Sequence, residues 1–259
     1  MRVIPVLDLM AGRAVLARGG RRETYAPAPS VLVPADAAGD PLALARAFRE
    51  ALGCDECYVA DLDAITGGVP QRALVRALAG QGGRLSVDAG VRAPDRARET
   101  LADGAARVVV GLETLPSLAV LEAVARAVGS ERLVFSLDLR RGRPVAAAGA
   151  RHLGTPLDAA GAAVAAGAGA ILVLDLARIG SGRGVNRNLV AAIREAHPAV
   201  ELLAGGGVAS ARDLERLADV GCDGALVATA LHAGTVRRED IEAVRRRTSR
   251  RERHASDSR

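Results

Sequence analysis

Short apolar runs alternate along the chain with longer segments in which hydrophobic side chains recur every three or four residues. The apolar runs are rich in Val, Leu and Ile, as is typical of strands buried on both faces, and the longer segments have the period of amphipathic helices. The predicted strands are residues 2–7, 57–60, 84–87, 107–110, 133–137, 170–174, 200–203 and 224–227. The predicted helices are residues 41–52, 71–79, 94–102, 118–128, 157–166, 188–197, 210–219 and 240–247. This alternation predicts an α/β fold whose parallel sheet closes into a (βα)8 barrel, the TIM barrel.

The first strand and the turn after it occur twice in the chain. Residues 2–15 align without a gap on residues 132–145, with seven identical positions that include the acids Asp8 and Asp138. This half-barrel duplication predicts two halves related by a pseudo-twofold axis, which an open doubly wound sheet does not explain. Corresponding strand ends then face each other, so we expect Asp8 and Asp138 on opposite sides of one pocket.

The composition removes several classes of enzyme. The chain contains 35 Arg and no Lys, so Schiff-base aldolases and pyridoxal-phosphate enzymes, whose chemistry needs an amine nucleophile, are excluded. Two Phe, two Tyr and no Trp leave a core of Ala, Val and Leu, and no Trp can stack on a base.

The net charge of +5 comes from the C-terminus. Seven Arg and two acidic residues lie between Arg245 and Arg259, and they account for the whole charge. No aromatic side chain is interleaved with them, which favours a solvated tail over a nucleic-acid-binding arm. We therefore expect one barrel domain over residues 1–247, a disordered Arg-rich tail over 248–259, and no nucleic-acid partner.

The cysteines indicate a reducing compartment. Cys54 and Cys57 have the spacing of a redox or zinc pair, but no second pair and no nearby His completes four ligands, and Cys222 leaves the number odd. Reduced thiols in a cytoplasmic protein are the simpler interpretation. We expect no signal peptide and no membrane span, because the chain moves directly into its first strand.

A glycine run after the seventh predicted strand indicates a phosphate site. The backbone N–H groups of Gly205, Gly206 and Gly207 can surround a phosphate at the positive end of the following helix. Ala228 and Thr229 follow the eighth strand and would complete the site where barrels commonly bind phosphate. The expected ligand is a phosphorylated small molecule.

The pseudo-symmetric position in the first half offers Gly90, Arg92 and Gly111 to an anion. Asp88 opposes this, because a carboxylate beside a phosphate is repulsive unless a cation neutralises it. This half can therefore hold a cationic or hydroxylated group instead.

Two connections are longer than the two to six residues usual in such folds. Residues 17–40 follow the first strand and residues 144–156 the fifth, and long loops at that face tend to be lids or binding loops. Residues 18–22, Arg-Gly-Gly-Arg-Arg, offer flexible backbone and guanidinium groups for anion contact.

Two carboxylates across a pocket suit general acid–base catalysis, in which one removes a proton and the other donates one. The alternative is that Asp8 and Asp138 cap turns or pair with Arg13 and Arg143. A symmetric pair at a barrel mouth favours catalysis. The four His are dispersed and none stands beside a strand-end Asp, so we expect no metal site and no cofactor.

These motifs resemble the HisA/HisF family of histidine biosynthesis, over a length that extends to about Val244. The motifs that carry the resemblance are Ile4-Pro5-Val6-Leu7-Asp8 with Gly12, Asp61-Leu62-Asp63, Gly90-Val91-Arg92, Ser136-Leu137-Asp138 and Gly205-Gly206-Gly207-Val208. The resemblance implies a half-barrel-duplicated barrel and, for the HisA branch, an Amadori aldose–ketose isomerisation of a bisphosphorylated aminoimidazole carboxamide ribonucleotide without metal or cofactor. It also implies that Asp8 is the base and Asp138 the acid, with Asp175 in support.

The chain departs from the family motifs at four positions. Where the family has a Thr, the Asp of an Asp-Gly pair, a Trp that covers the ligand and a phosphate-loop Gly, this chain has Leu174, Ile179, Ala150 and Asp88. The functional lysines of the HisF cyclase have no counterpart, which argues against a cyclase and its glutaminase partner. Residues 18–27 and 178–180 resemble a branch found in organisms with tetrahydromethanopterin-linked one-carbon metabolism.

Three hypotheses follow from the residues and the resemblance. The first is a HisA-type isomerase that acts on an aminoribose phosphate through the two acids. The second is a paralogue that acts on another phosphorylated intermediate of one-carbon cofactor synthesis. The third is a barrel without this chemistry, either a non-catalytic binding protein or a HisF-like subunit.

Overall fold

The computed structural model describes residues 1–16, 24–181 and 184–257, in which strands and helices alternate. The strands are β1 (Arg2–Met10), β2 (Arg13–Leu16), β3 (Ala26–Pro27), β4 (Glu56–Asp61), β5 (Arg84–Asp88), β6 (Arg107–Gly111), β7 (Leu133–Arg140), β8 (Arg143–Pro144), β9 (Ala170–Asp175), β10 (Glu201–Gly205) and β11 (Gly224–Val227). The α-helices are α1 (Pro41–Glu50), α2 (Leu62–Ile65), α3 (Arg72–Gly80), α4 (Pro94–Ala102), α5 (Leu118–Val128), α6 (Pro156–Ala165), α7 (Arg187–Ala196), α8 (Ala211–Asp219), α9 (Thr229–His232) and α10 (Arg238–Asp257). Each predicted strand and helix is present, with ends that differ by up to three residues except in α10, which ends ten residues later than predicted.

The long strands form a closed parallel barrel. Their order around the barrel is β1, β4, β5, β6, β7, β9, β10 and β11, and β11 pairs back onto β1 from Arg2↔Gly224 to Pro5↔Val227. This closure confirms the predicted (βα)8 barrel. The pattern did not predict β2, β3 and β8, because they are short antiparallel additions that extend β1 and β7 beyond the barrel.

Alternation along each strand decides which side chains enter the barrel. In β1 the odd-numbered Leu7 and Leu9 pack outward against the helices, while Ile4 and Val6 belong to the cluster inside the barrel. Side chains of a strand alternate between its two faces, so Asp8 continues the inward series toward the carboxyl end of β1. β1 thus directs apolar side chains into the barrel interior and the Asp8 carboxylate toward the carboxyl end of the barrel.

The duplication is visible in the backbone. β1 and β2 are joined by Ala11 and Gly12, with φ of 48° and 78°, and β7 and β8 are joined by Arg141 and Gly142, with φ of 55° and 78°. Two central residues of positive φ are typical of the type I′ turns that match the twist of hairpin strands. The repeated sequence therefore folds into the same hairpin in both halves.

Ala11 occupies a left-handed conformation that costs an ordinary side chain about 1 kcal/mol. Asn tolerates this conformation, and Asn-Gly is the favoured pair for a type I′ turn. We therefore expect Ala11→Asn to raise the free energy of unfolding by about 0.5–1 kcal/mol, and Ala11→Val to lower it, since a β-branched side chain is disfavoured there. Urea denaturation of the two variants checks this, and a shift of both in the same direction would contradict it.

The last helix extends into the segment assigned to the tail. α10 continues to Asp257, beyond the expected boundary at residue 247. Arg238 and Arg246 each form an ion pair with Glu242, which lies one helical turn from both, and such pairs support helix formation. The division into a barrel domain and a disordered tail stays a prediction. Of the long loops, residues 18–22 lie outside the described residues, while residues 148–153 form a 3-10 helix.

The three cysteines are buried and unpaired. Burial raises the pKa of the Cys54 thiol to about 11 and that of Cys222 to about 12, so these thiols stay protonated near neutral pH. None of the helices in the described part of the chain has the length and apolar character needed to cross a membrane.

Candidate active site

A cavity of about 470 Å³ opens at the carboxyl end of the barrel strands. Its polar lining comes from strands on both sides, and its apolar lining comes from the upper layer of the barrel interior. The charged, hydroxyl and glycine residues that line it are Asp8, Tyr25, Tyr58, Asp88, Glu113, Asp138, Arg140, Gly180, Ser181, Gly206, Gly207, Thr229 and Thr235. Active sites of such barrels lie at this face, because the loops after all eight strands converge there.

Asp8 and Asp138 both line this cavity. Their strands, β1 and β7, are four places apart in the ring of eight, so the two carboxyl groups enter from opposite sides. Asp8 is half-buried, whereas Asp138 is 4% exposed. The two acids therefore occupy different environments, as division of labour between an acid and a base requires.

Asp138 is built to keep its proton. Its Oδ1 accepts a hydrogen bond from Ser136 Oγ at 2.7 Å, and its Oδ2 accepts one from the Glu113 backbone N–H at 3.1 Å. Burial, and then the nearby Glu113 carboxylate, raise the pKa of Asp138 from 3.8 to about 8 despite these two bonds. At neutral pH Asp138 is thus a carboxylic acid that can donate a proton into the cavity.

The glycine turn after β10 forms another side of the cavity. Gly206 and Gly207 have φ of 87° and 97°, and a Cβ on Gly206 would lie 2.8 Å from the Asp175 carbonyl oxygen. Only glycine fits this turn, which leaves its backbone exposed to the cavity. Ala228 and Thr229, after β11, line the same cavity. Gly205 is not among the lining residues, because it is buried at the end of β10, where a Cβ would lie 3.0 Å from Leu226 Cβ.

The corresponding turn of the first half is arranged differently. Gly90 and Arg92 do not line the cavity: the Gly90 N–H donates to Asp88 Oδ1 at 3.0 Å, and the exposed Arg92 donates to the Ile65 carbonyl at 3.3 Å. Gly111 lies beneath the lining, with the position of its missing Cβ 2.9 Å from Asp138 Oδ2. This half therefore presents the Asp88 carboxylate where an anion site was predicted.

Asp175 has its oxygens occupied by the second hairpin. The backbone N–H groups of Arg141, Gly142 and Ala177 donate to it at 3.0–3.2 Å, and Arg178 Nε lies 3.4 Å away. Asp175 is 3% exposed and lies outside the 470 Å³ cavity. It positions the β7–β8 hairpin rather than facing a ligand in that cavity.

The four departures from the family motifs fall in two places. Leu174, Ile179 and Asp88 line the cavity, so each changes its surface. Ala150 lies in a neighbouring open depression that shares Arg140 with the cavity. We call this depression the arginine basin, since its basic lining residues are Arg140, Arg141, Arg143 and Arg178.

Several charged or hydroxyl residues of the cavity were not singled out from the sequence, and three of them bear on its chemistry. Tyr58 and Glu113 lie on its floor and wall, and the exposed Arg140 lies at its mouth. Tyr58 lies two residues before Ala60 on the inward face of β4, so the alternation of side chains could have predicted that it enters the barrel. Glu113 follows β6 by two residues, and only the folded loop shows that it turns into the cavity.

The fold and the two opposed acids place the chain among (βα)8-barrel proteins with a site at the carboxyl ends of the strands. The model of a family described as "Histidine biosynthesis protein" matches residues 2–237, and the chain belongs to that family.

Curated relatives match over nearly the whole length. A Thermus thermophilus protein is 35% identical over 243 residues, which cover 92% of this chain and 97% of that protein, and it is named as an isomerase of 1-(5-phosphoribosyl)-5-((5-phosphoribosylamino)methylideneamino) imidazole-4-carboxamide. A Deinococcus radiodurans protein of the same name is 33% identical, covering 91% of this chain and 95% of that protein. An uncharacterized protein of Methanocaldococcus jannaschii is 28% identical, with 93% and 97% covered.

Proposed function

We propose that the protein is a HisA-type aldose–ketose isomerase that rearranges a phosphorylated aminoaldose into the corresponding aminoketose. The observation that carries the proposal is a buried acid, Asp138, with a pKa raised to about 8, across the cavity from a second carboxylate, Asp8. The names of the relatives from Thermus and Deinococcus support the reaction class.

In the first step Asp138 donates its proton to the ring oxygen of the aminosugar. The bond between C1 and that oxygen breaks, and the lone pair of the glycosidic nitrogen forms an iminium bond to C1. A neutral acid suits this step, because the leaving oxygen would otherwise depart as an alkoxide.

In the second step Asp8 removes the proton from C2. The electrons of that C–H bond form a C1–C2 double bond, and the iminium nitrogen regains its lone pair. The resulting enaminol becomes the aminoketose when its hydroxyl loses a proton and C1 gains one. Leu174, Leu226 and Ile179 line the cavity and limit the access of water to these intermediates.

The glycine turn is proposed to hold the phosphate of the substrate. Gly206 and Gly207 expose their backbone to the cavity, and Thr229 adds a hydroxyl group on the same side. Backbone N–H groups and hydroxyls are common phosphate ligands, and barrels bind phosphate after their seventh and eighth strands.

The direct test is to incubate the purified protein with aminosugar phosphates, among them the aminoaldose that the Thermus enzyme is named for, and to follow the products by NMR. In D₂O we expect an aminoketose that carries one deuterium at C1, because the proton lost from C2 is replaced from solvent. A folded protein that neither binds nor converts any aminosugar phosphate would overturn the proposal.

A second candidate is the same chemistry on another phosphorylated intermediate, as in one-carbon cofactor synthesis. Asp88 favours it, because its carboxylate lies where a second phosphate of a symmetric ligand would approach. Binding of aminosugar monophosphates together with a failure to convert the substrate of the Thermus enzyme would select this candidate.

A further inference from the structure

One wall of the cavity is acidic. Asp88 ends β5, Glu113 follows β6 and Asp138 lies near the end of β7, and we call these three residues on adjacent strands the acidic wall. The position of the missing Cβ of Gly111 lies 2.9 Å from Asp138 Oδ2 and 3.5 Å from Asp88 Oδ2, so two carboxyl groups meet over β6. Among the described residues that line the cavity, Arg140 is the basic one, and it lies exposed at the mouth.

The hydroxyl group of a largely buried tyrosine lies near the same wall. Tyr58 is 6% exposed and lines the cavity, and its hydroxyl has no hydrogen-bond partner in the described part of the chain. Burial, followed by the carboxyl groups of Asp88 and Asp138, raises the pKa of Tyr58 well above its usual value, so it remains a phenol. The side chain lines the cavity, so a polar ligand group at this wall can form a hydrogen bond with the Tyr58 hydroxyl.

The acidic wall is poorly suited to a second phosphate. The N–H of Gly90 already donates to Asp88, so the Asp88 carboxylate occupies the place that an anion would need. A phosphate dianion brought beside it would meet like charge next to a carboxylate that is only 7% exposed, where repulsion is stronger than in bulk water. A metal ion is not favoured either, because no three His, Cys, Asp or Glu side chains of the described residues are arranged to hold one.

We propose that the substrate carries one phosphate, at the glycine turn, and a basic nitrogen that contacts the acidic wall and the hydroxyl of Tyr58. An ammonium group has three donors, which match the carboxylates of Asp88 and Glu113 and the Tyr58 oxygen. The inference rests on the proposed function, from which it takes the phosphate end of the site. It adds the chemical class of the substrate group that binds at the opposite side of the cavity, a basic nitrogen.

The test compares three ligands that differ only at C1 of D-ribulose 5-phosphate. The parent has a hydroxyl group there, ribulose 1,5-bisphosphate has a phosphate, and 1-amino-1-deoxyribulose 5-phosphate has an ammonium group at pH 7. Isothermal titration calorimetry of the wild-type protein should give the lowest Kd for the amino compound and the highest for the bisphosphate. We expect the two to differ by at least about tenfold.

Two variants test whether the acidic wall causes the preference for the amino compound. Asp88→Asn should lower the affinity for the amino compound and raise that for the bisphosphate, which reduces their ratio by about tenfold. Tyr58→Phe should raise the Kd of the amino compound severalfold, although it does not change the charge of the acidic wall. Asp95→Asn is the matched control, because Asp95 is exposed on α4 and pairs with Arg98, and its variant should retain the wild-type ratio.

The outcomes separate this inference from the proposed function. If the bisphosphate binds wild-type protein as tightly as the amino compound, the inference is wrong, and the arginine basin becomes the site of the second phosphate. An unchanged ratio in a folded Asp88→Asn variant would also overturn it. If none of the three ligands binds, the sugar-phosphate function itself fails, and the inference fails with it.

Discussion

Replacing Asp8 with Asn should lower kcat for the proposed isomerisation by about 10²–10⁴-fold, which is the range that general acid–base groups contribute. The amide keeps the shape of the side chain but cannot take the proton from C2. KM should change little, because the phosphate site that we propose at the glycine turn lies on another side of the cavity. Steady-state kinetics on the converted aminoaldose measures both quantities.

Asp55→Asn is the matched control for this experiment. Asp55 is exposed and immediately precedes β4, so it lies at the end of the barrel opposite to the cavity. Its variant should retain full turnover. If Asp8→Asn retains it as well, Asp8 is not the base, and a barrel that binds ligand without this chemistry becomes the better description.

The barrel and the positions of Asp8 and Asp138 could be predicted from the sequence, because they depend on the alternation of side chains within single strands. A strand buried on both faces has to alternate its side chains, so the spacing of Ile4, Val6 and Asp8 already puts them on one face. The repeat predicted that Asp138 lies on the opposite strand. The two hairpins share the glycine of the turn and have similar positive φ at the residue before it, 48° at Ala11 and 55° at Arg141, so the duplication extends to the backbone.

The residues that the sequence placed less well form hydrogen bonds that their motifs do not show. Asp175 directly follows its predicted strand, as Asp8 and Asp138 do, but the Arg141–Gly142 turn folds over it and occupies its oxygens. Gly90 had the spacing of an anion loop, yet the side chain two residues before it takes its N–H. A motif specifies backbone shape, whereas competition for hydrogen bonds is decided only in the folded chain.

Asp138→Asn should reduce kcat as strongly as Asp8→Asn and should also stabilise the protein near pH 8. The folded pKa of about 8 lies above the ordinary value of 3.8. Between these values the unfolded chain releases the proton while the native state retains it, so this group lowers the free energy of unfolding as pH rises from about 4 to about 8. Asn has no proton to release, and its amide can still accept from the Glu113 N–H and donate to Ser136.

Urea denaturation at pH 4 and pH 8 measures this trade-off between stability and activity. At pH 8 the variant should exceed the wild type by at least about 1 kcal/mol, whereas at pH 4 the two should nearly coincide. In the wild type kcat should fall above about pH 8, where Asp138 loses the proton that it donates. A variant that is less stable than the wild type at both pH values would show that the carboxyl group is held as an anion, and Asp138 could not then be the acid.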